Sequence, residues 1–427
     1  MSDSDRVILV YADWAPLEEP KIMGEIHELT VRGKALVSFE YNRSWLSEAQ
    51  ALIMDPDLQL YRGRQYPRGS RSSFGIFMDS SPDRWGRLLM RRREALAAGR
   101  ENRPLRKLSE CDFLLGVHDE ARMGGLRLKT DSAGVFLADD SDFVIPPWTR
   151  LRELEQAAVA FESESGAPGE AEWLSLLLAP GSSLGGARPK AVVVDPSGFP
   201  WIAKFPSKQD EEDTGLWEMV VHDLAGKAGL DVPEARLERF SRYGSTFLVK
   251  RFDRRSGGAS DSRRIDRIHF TSAMTLLGKN DGASARDGSS YLELAEFIVR
   301  SGSEPDRDLS ELWRRIVFSI AVSNTDDHLR NHGFLLDSRG WRLSPLYDVN
   351  PDPYGRGLSL NISEEDNSLD FNIALEQAGF FHLDNRQALL FREQIRDAVA
   401  GWRDTALKYG ISQASIERMK PAFSAAG

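Results

Sequence analysis

One cysteine, Cys111, is all that the 427 residues contain. An intrachain disulfide is therefore excluded, and so is a cysteine-rich zinc site, a usage that suits a reducing compartment. Long apolar runs are missing too. None approaches the roughly 18 residues that a helix needs to cross a bilayer, and the opening MSDSDRVILVYADW has neither the basic flank nor the apolar core of a secretory signal. A cytoplasmic protein without membrane contact is the expectation. Basic charge is also scarce: 55 Lys and Arg against 65 Asp and Glu give a net charge of −10. That balance argues against an extended nucleic-acid footprint and leaves room only for a local basic patch. The tract RRRE at 91–94 reads as a solvated helix face instead of such a patch. No fixed-period repeat is apparent, which argues against a solenoid.

What is present is ordinary globular composition, 41% apolar and 28% charged, over a length that suits two or three domains with separate cores. Segments 6–10 and 29–41 carry β-branched and aromatic residues about a Gly-containing turn at 32–34, the pattern of a small antiparallel sheet. From Ser80 the period changes. SSPDRWGRLLMRRREALAAG opens on Ser-Pro-Asp, spaces its apolar residues as a helix does, and closes on Gly. Between 136 and 170, Pro, Gly, Ser and acids gather on either side of a short helix at 151–161, which marks a crossing between domains. A further helix follows, EAEWLSLLLAP.

It runs into GSSLGGARPK at 181–190, where Gly lets backbone amides point together at a phosphate, although the spacing fits neither GxGxxG nor GxxxxGK[ST]. KAVVVD and WIAKF then form a hairpin across 196–198. Lys204 lies inside its second, apolar strand, so its ammonium calls for a carboxylate or a ligand phosphate, unless it reaches water at the strand edge. Glu218, flanking the apolar stripe of the helix TGLWEMVVHDLAGKAGL, is the expected partner. Two more strands, ARLERF and STFLVKRFDR, and a Gly- and Ser-rich loop at 255–262 end the β-rich part. Beyond it, FTSAMTLLG, SYLELAEFIVR and ELWRRIVFSIAVS all have helical periodicity.

The last of these leads into SNTDDHLRNHGFLLDSRGWRLSPLYD, residues 323–348. Asn331 follows Asp326 by five residues, and Asp348 follows Asn331 by seventeen, across a strand-turn-strand pattern. Phosphoryl transfer uses an acid that faces the acceptor hydroxyl and an amide and a second acid that hold magnesium, and a kinase catalytic loop has the same step of five. Any one of these Asp residues has turn capping as its commoner fate; the order of glycine loop, strand Lys, helix Glu and acid loop is what gives them joint meaning. His328 and His332 stand four apart, but HLRNH lacks the Glu of a zinc protease motif and no third ligand stands out.

SSLGGARPKA, WIAKFPS, VKRFDR, RIHFTSA, SNTDDHLRN, LSPLYDV and LSLNISEEDNSLDF, in this order and joined by SPDRWGR and ARMGGLRL upstream, resemble the HipA-like serine/threonine kinases, toxin components of bacterial toxin–antitoxin systems. The resemblance covers nearly the whole chain. It implies an α+β, bilobal, protein-kinase-like fold: an N-terminal subdomain at 1–135, a β-rich small lobe at 136–252 and a mainly helical large lobe at 253–427. It also implies ATP and Mg²⁺ as cofactors, Asp326 as catalytic base, Asn331 and Asp348 as metal ligands, and Lys204 as the phosphate-binding lysine. The rest of the nucleotide set is Ser182, Ser183, Gly185, Gly186, Lys190, Glu218 and His328, with Val249, Lys250 and Phe252 as the hinge beside adenine. In the family a serine of the glycine-rich loop is autophosphorylated and silences the enzyme; the match here is Ser183, with Ser182 as its neighbour. The implied substrate is a protein Ser or Thr, in some members of an aminoacyl-tRNA synthetase, with inhibition of translation, growth arrest and persistence as the outcome. The implied partner is a HipB-like DNA-binding antitoxin, through which DNA contact runs. His332 stands where a Phe often follows the Asn, and LGGARPK is one of several forms of the loop; neither removes a catalytic part. Two alternatives carry the same residues: a catalytically weak kinase fold acting as corepressor with its antitoxin, and a small-molecule kinase.

Overall fold

The segment RVILVYA forms β1 (Arg6–Ala12), in which buried Ile8, Val10 and Ala12 alternate with half-buried neighbours, the two-residue period of a sheet. It pairs antiparallel with β2 (Lys21–Val31), which pairs with β3 (Lys34–Tyr41); β4 (Leu126–Lys129) closes the order β3-β2-β1-β4. The computed structural model describes residues 5–31, 34–48, 52–69, 71–137, 145–163, 169–178, 188–257 and 265–425. They fall into two compact units: Met1–Lys208 with Asp253–Thr271, and Gln209–Phe252 with Ser272–Gly427.

In the first unit, α1 (Arg84–Arg100) begins where its sequence says it should. The Asp83 side chain accepts the Gly86 N–H at 2.7 Å, capping the first turn. Helices α2 (Leu151–Ser163) and α3 (Glu170–Leu178) follow, then the hairpin of β5 (Lys190–Val194) and β6 (Pro200–Lys204), which pairs Lys190 with Lys204. Its turn is built on Asp195, whose carboxylate accepts from the Ser197 and Phe199 N–H groups and from Trp201 Nε1.

Of the stretch 255–262, expected as a loop that ends the β-rich part, residues 258–262 lie outside the described residues, while Arg254–Ser256 is a short strand paired antiparallel with Ile265–Arg267. Buried charge explains the difference. Asp253 accepts the Gly124 N–H at 2.7 Å and the Arg254 guanidinium at 2.6 Å, while Arg254 also reaches the carbonyl of Arg122 and Arg267 pairs with Asp119 at 3.0 Å. These partners lie over a hundred residues upstream, so Gly and Ser composition cannot reveal them.

In the second unit, α4 (Thr214–Lys227) is capped by Asp213, which also accepts the Ser245 N–H and hydroxyl. The hairpin of β7 (Ala235–Glu238) and β8 (Thr246–Lys250) follows. FTSAMTLLG, expected as a helix, yields a single turn, Ala273–Leu276, because Ser272 caps it and the chain leaves after Leu277. Helix α5 (Tyr291–Ser301) starts at a Ser290–Glu293 capping box, and α6 (Pro305–Ala321) starts on Pro at its first position. Leu309, Leu312, Trp313, Ile316, Phe318 and Ile320 of α6 are buried in the core of this unit, with Trp313 Nε1 donating to the Ala374 carbonyl at 2.8 Å. A second hairpin, β11 (Gly333–Leu336) and β12 (Trp341–Leu343), returns along it, with the long helix Asn385–Ala400 beyond. The strands Arg254–Ser256 (β9) and Ile265–Arg267 (β10) belong to the first unit. Among the described residues no helix is long and apolar enough to cross a membrane.

Asp308, in the first turn of α6, ties β12 to the helix by accepting the Leu343 N–H at 2.8 Å, with Arg342 Nε at 3.2 Å. Burial pushes its carboxyl up to about 6, outweighing that N–H bond and the charges of Arg307 and Arg315. An unfolded Asp ionises near 4, so the unfolded chain loses this proton first. The group's contribution is therefore full below about pH 4, falls as pH rises through about 6 and is level above it. Asp308→Asn keeps an acceptor for Leu343 and is expected to remove up to about 3 kcal/mol of that slope. Urea midpoints measured between pH 4 and 7 test this; a slope equal to the wild type's would refute it.

Candidate active site

Helix α6 delivers the chain into the loop that carries the candidate acid. Ser323 takes a left-handed conformation, φ +50°, and turns the chain out of the helix. The next two residues are pinned. Asn324 donates its N–H to the Ser319 carbonyl and accepts the Asn350 N–H on Oδ1, while the Thr325 hydroxyl donates to Asp352 Oδ2 at 2.7 Å and the Thr325 carbonyl accepts from the Ser359 hydroxyl. Asp326 follows with its side chain 86% exposed. Its backbone carbonyl accepts the His328 N–H and the Asn331 side-chain amide at 3.0 Å. The loop thus holds the main chain of Asp326 and leaves its carboxylate facing solvent.

Asp327 has the opposite fate. It is buried, and its Oδ2 accepts from the Tyr291 hydroxyl at 2.7 Å and the Ser319 hydroxyl at 3.3 Å, while Oδ1 lies 3.1 Å from His332 Nε2. Burial acts to raise this carboxyl, but the charge of His332 and the bonds from His332 and Tyr291 outweigh it and hold it below the usual value. The Tyr291 phenol moves the other way, well above its usual value, through burial and the adjoining carboxylate. Two adjacent acids therefore divide the work: one anchors the loop from beneath, the other is presented above it.

Asn331 is buried, and because its Nδ2 is committed to the Asp326 carbonyl, its Oδ1 is the group left to act as acceptor. Pairing of Phe334 with Leu343 brings the chain before β11 alongside the chain after β12, and the Tyr347 hydroxyl donates to the Arg330 carbonyl at 2.7 Å. Asn331 and Asp348 each follow one end of that bond. Asp348 is half-buried and left-handed, φ +59°, an uncommon state for a residue other than Gly and one that clusters at functional sites. An amide oxygen and a carboxylate are hard donors that suit Mg²⁺, which retains water and is completed by substrate phosphates. Among the described residues no three His, Cys, Asp or Glu side chains converge on one point; magnesium held in this way needs no such cluster.

The other residues singled out in the sequence are distributed over both units. Lys204 ends β6 and Lys190 begins β5 in the first unit, where Lys190 is buried with its ammonium 3.2 Å from Asp83. Glu218 lies buried on α4 in the second. Val249 and Lys250 close β8; the Lys250 N–H already donates to the Glu234 carbonyl and its ammonium lies 3.2 Å from the Glu234 carboxylate. The ring of Phe252 lies 5.3 Å from that of Tyr347, beside Asp348. His328 is half-buried, its Nε2 4.0 Å from Asp326 Oδ1. Ser182, Ser183, Gly185 and Gly186 lie outside the described residues.

Sequence reading did not single out Asn324, Asn350, Asp352 or Tyr291, which shape the loop through partners 26 to 36 positions away. The repeated Asp at 326 and 327, followed by a His at 332, was the one available signal of a buried pair.

The model of the HipA-like C-terminal domain matches residues 182–403 of this chain, more than half of it. A protein of Sinorhizobium fredii named "Putative kinase Y4mE" is 32% identical over 151 residues, 35% of this chain and 34% of its own. A kinase similarly named in Haemophilus influenzae is 30% identical over 134 residues, 30% of this chain and 38% of its own. The chain thus spans little more than a third of the length of these relatives. Among solved structures, HipA of Shewanella oneidensis, in complex with HipB and its operator DNA, matches with a TM-score of 0.65 at 16% identity, covering 95% of this chain and 94% of that one. The α+β, kinase-like fold expected from the sequence is the fold these matches describe.

Proposed function

The chain belongs to the HipA-like family, and on that premise we propose that it is an ATP- and Mg²⁺-dependent serine/threonine protein kinase. The observation that carries this reading is the division at 326–331: an exposed carboxylate on a main chain clamped by the amide of a buried Asn whose oxygen stays available. Asp326 accepts the proton of the acceptor hydroxyl as its oxygen attacks the γ-phosphorus, and ADP departs with the bond that breaks. Asn331 and Asp348 hold the magnesium, which supplies charge neutralisation on the phosphates. Lys204 binds those phosphates, and Glu218, Lys190, His328 and the 249–252 segment complete the nucleotide's surroundings.

Regulation falls to Ser183. A phosphate there adds about −1.5 to −2 charges to the loop that receives ATP phosphates, which disfavours nucleotide binding. The complex in which the Shewanella protein was solved supports a HipB-like antitoxin as partner for this chain, with DNA contacted through that partner. The target proposed is a protein, an aminoacyl-tRNA synthetase being one candidate, whose phosphorylation arrests growth. The test is transfer of labelled phosphate from ATP with magnesium, followed by mass spectrometry. Label on Ser183 is expected, and Ser183→Ala is expected to remove that label while prolonging transfer to other proteins. Absence of transfer to any protein would overturn the reading.

A further inference from the structure

We infer that the turn Asp352–Arg356 is the acceptor-docking edge of this site, fitted to an extended polypeptide that carries an acidic residue near its target hydroxyl. The inference rests on the kinase reading and names the substrate class for it.

The turn is held against the catalytic loop, not merely near it. Asp352 donates its N–H to the Ser323 carbonyl at 3.1 Å, accepts the Thr325 hydroxyl on Oδ2 at 2.7 Å and accepts the Tyr354 N–H on Oδ1 at 2.8 Å. Gly355 approaches still closer. A Cβ there would lie 2.2 Å from Thr325 Cγ2 and 2.5 Å from its hydroxyl, so the backbone of Gly355 packs directly on the residue that precedes Asp326. On the far side the chain is fixed again, because the Leu358 N–H donates to the Asn367 carbonyl at 2.8 Å. Tyr354 and Arg356 flank Gly355, which packs on Thr325, the residue before Asp326.

Both residues are exposed, with the Arg418 cation an electrostatic neighbour of Tyr354. Tyr354 is 78% exposed, the largest value among the exposed large hydrophobic residues described, and Arg356 is exposed with no carboxylate at ion-pair distance among the described residues. A lone exposed apolar residue is ordinary; an aromatic and a cation fixed on a rigid turn against the catalytic loop are a pre-ordered surface, which costs little entropy to engage. The open setting of both Asp326 and Tyr354 favours a chain laid across the surface over a small acceptor that must be enclosed. Arg356 calls for an acid. Asp326 repels one at the reacting position itself, which places the acid at another position of the bound chain.

The experiment uses the full chain with synthetic peptides that carry one Ser and have Glu, Lys or Leu scanned over the neighbouring positions. A Glu peptide is expected to have a KM about tenfold below its Lys counterpart, with similar kcat. Arg356→Glu is expected to invert that ranking, and Tyr354→Ala to raise peptide KM about fivefold while the KM for ATP holds. Both substitutions are at exposed side chains, so folding is not at risk. An unchanged Glu-over-Lys ranking in Arg356→Glu would overturn the inference, as would transfer confined to non-peptide acceptors. Loss of all transfer by the wild type is a different failure: it removes the kinase reading and this inference with it.

Discussion

Asp326→Asn is expected to lower phosphate transfer by about 10² to 10⁴, the usual contribution of a positioned general base. An amide of the same size leaves the acceptor proton without a destination, while the clamp from Asn331 reaches only the backbone of residue 326 and is unaffected. Because the side chain is 86% exposed, the folded state loses almost nothing. The expected pair of results is a collapse of kcat with an unchanged denaturation midpoint. Label transfer retained near the wild-type rate would show that the exposed carboxylate is not the base, and with it the assignment of the whole loop would fall. Phosphopeptide mass spectrometry of cells carrying the wild type and this variant extends the same comparison to the protein target.

Much of the second unit was legible because its signals are local. The turn residues of WRL and GFLL, the apolar stripe of α6 and the five-residue step from Asp326 to Asn331 can be read without knowing what packs on what. Where the reading departed from the structure, the missing information was long-range. FTSAMTLLG has a helical period, yet a cap at Ser272 and the exit after Leu277 limit it to one turn. The Gly- and Ser-rich stretch after Arg254 looks like loop, yet Asp119, Arg122 and Gly124 supply ion-pair and hydrogen-bond partners that stabilise strands on either side of it. The site shows the same limit. Asn331 and Asp348 were marked by spacing, but the bonds from Asn350, Asp352 and Ser359 that shape the loop come from a segment whose composition is that of any polar connection.

Asp326 and Asp327 make the point sharply, because adjacent identical residues differ in everything that matters. Removing Asp327 as Asp327→Ala leaves the Tyr291 and Ser319 hydroxyls and the His332 ring without the group they surround, in a site closed to water. Leaving buried donors without the carboxylate they serve costs about 1 to 3 kcal/mol for each group, several times the effect of an exposed substitution. Loss of stability, measured as a lowered urea midpoint, is therefore the expected primary effect, with activity falling because the loop bearing Asp326 loses its anchor. The pH dependence has a definite sign. The folded pKa of Asp327 lies below its unfolded value, so its contribution is complete above about pH 4 and is lost as pH falls through the folded value. Wild type should lose stability on acidification that Asp327→Asn does not lose. A variant as stable as the wild type at neutral pH, or one with the same acid profile, would mean that the buried carboxylate is not what holds the loop.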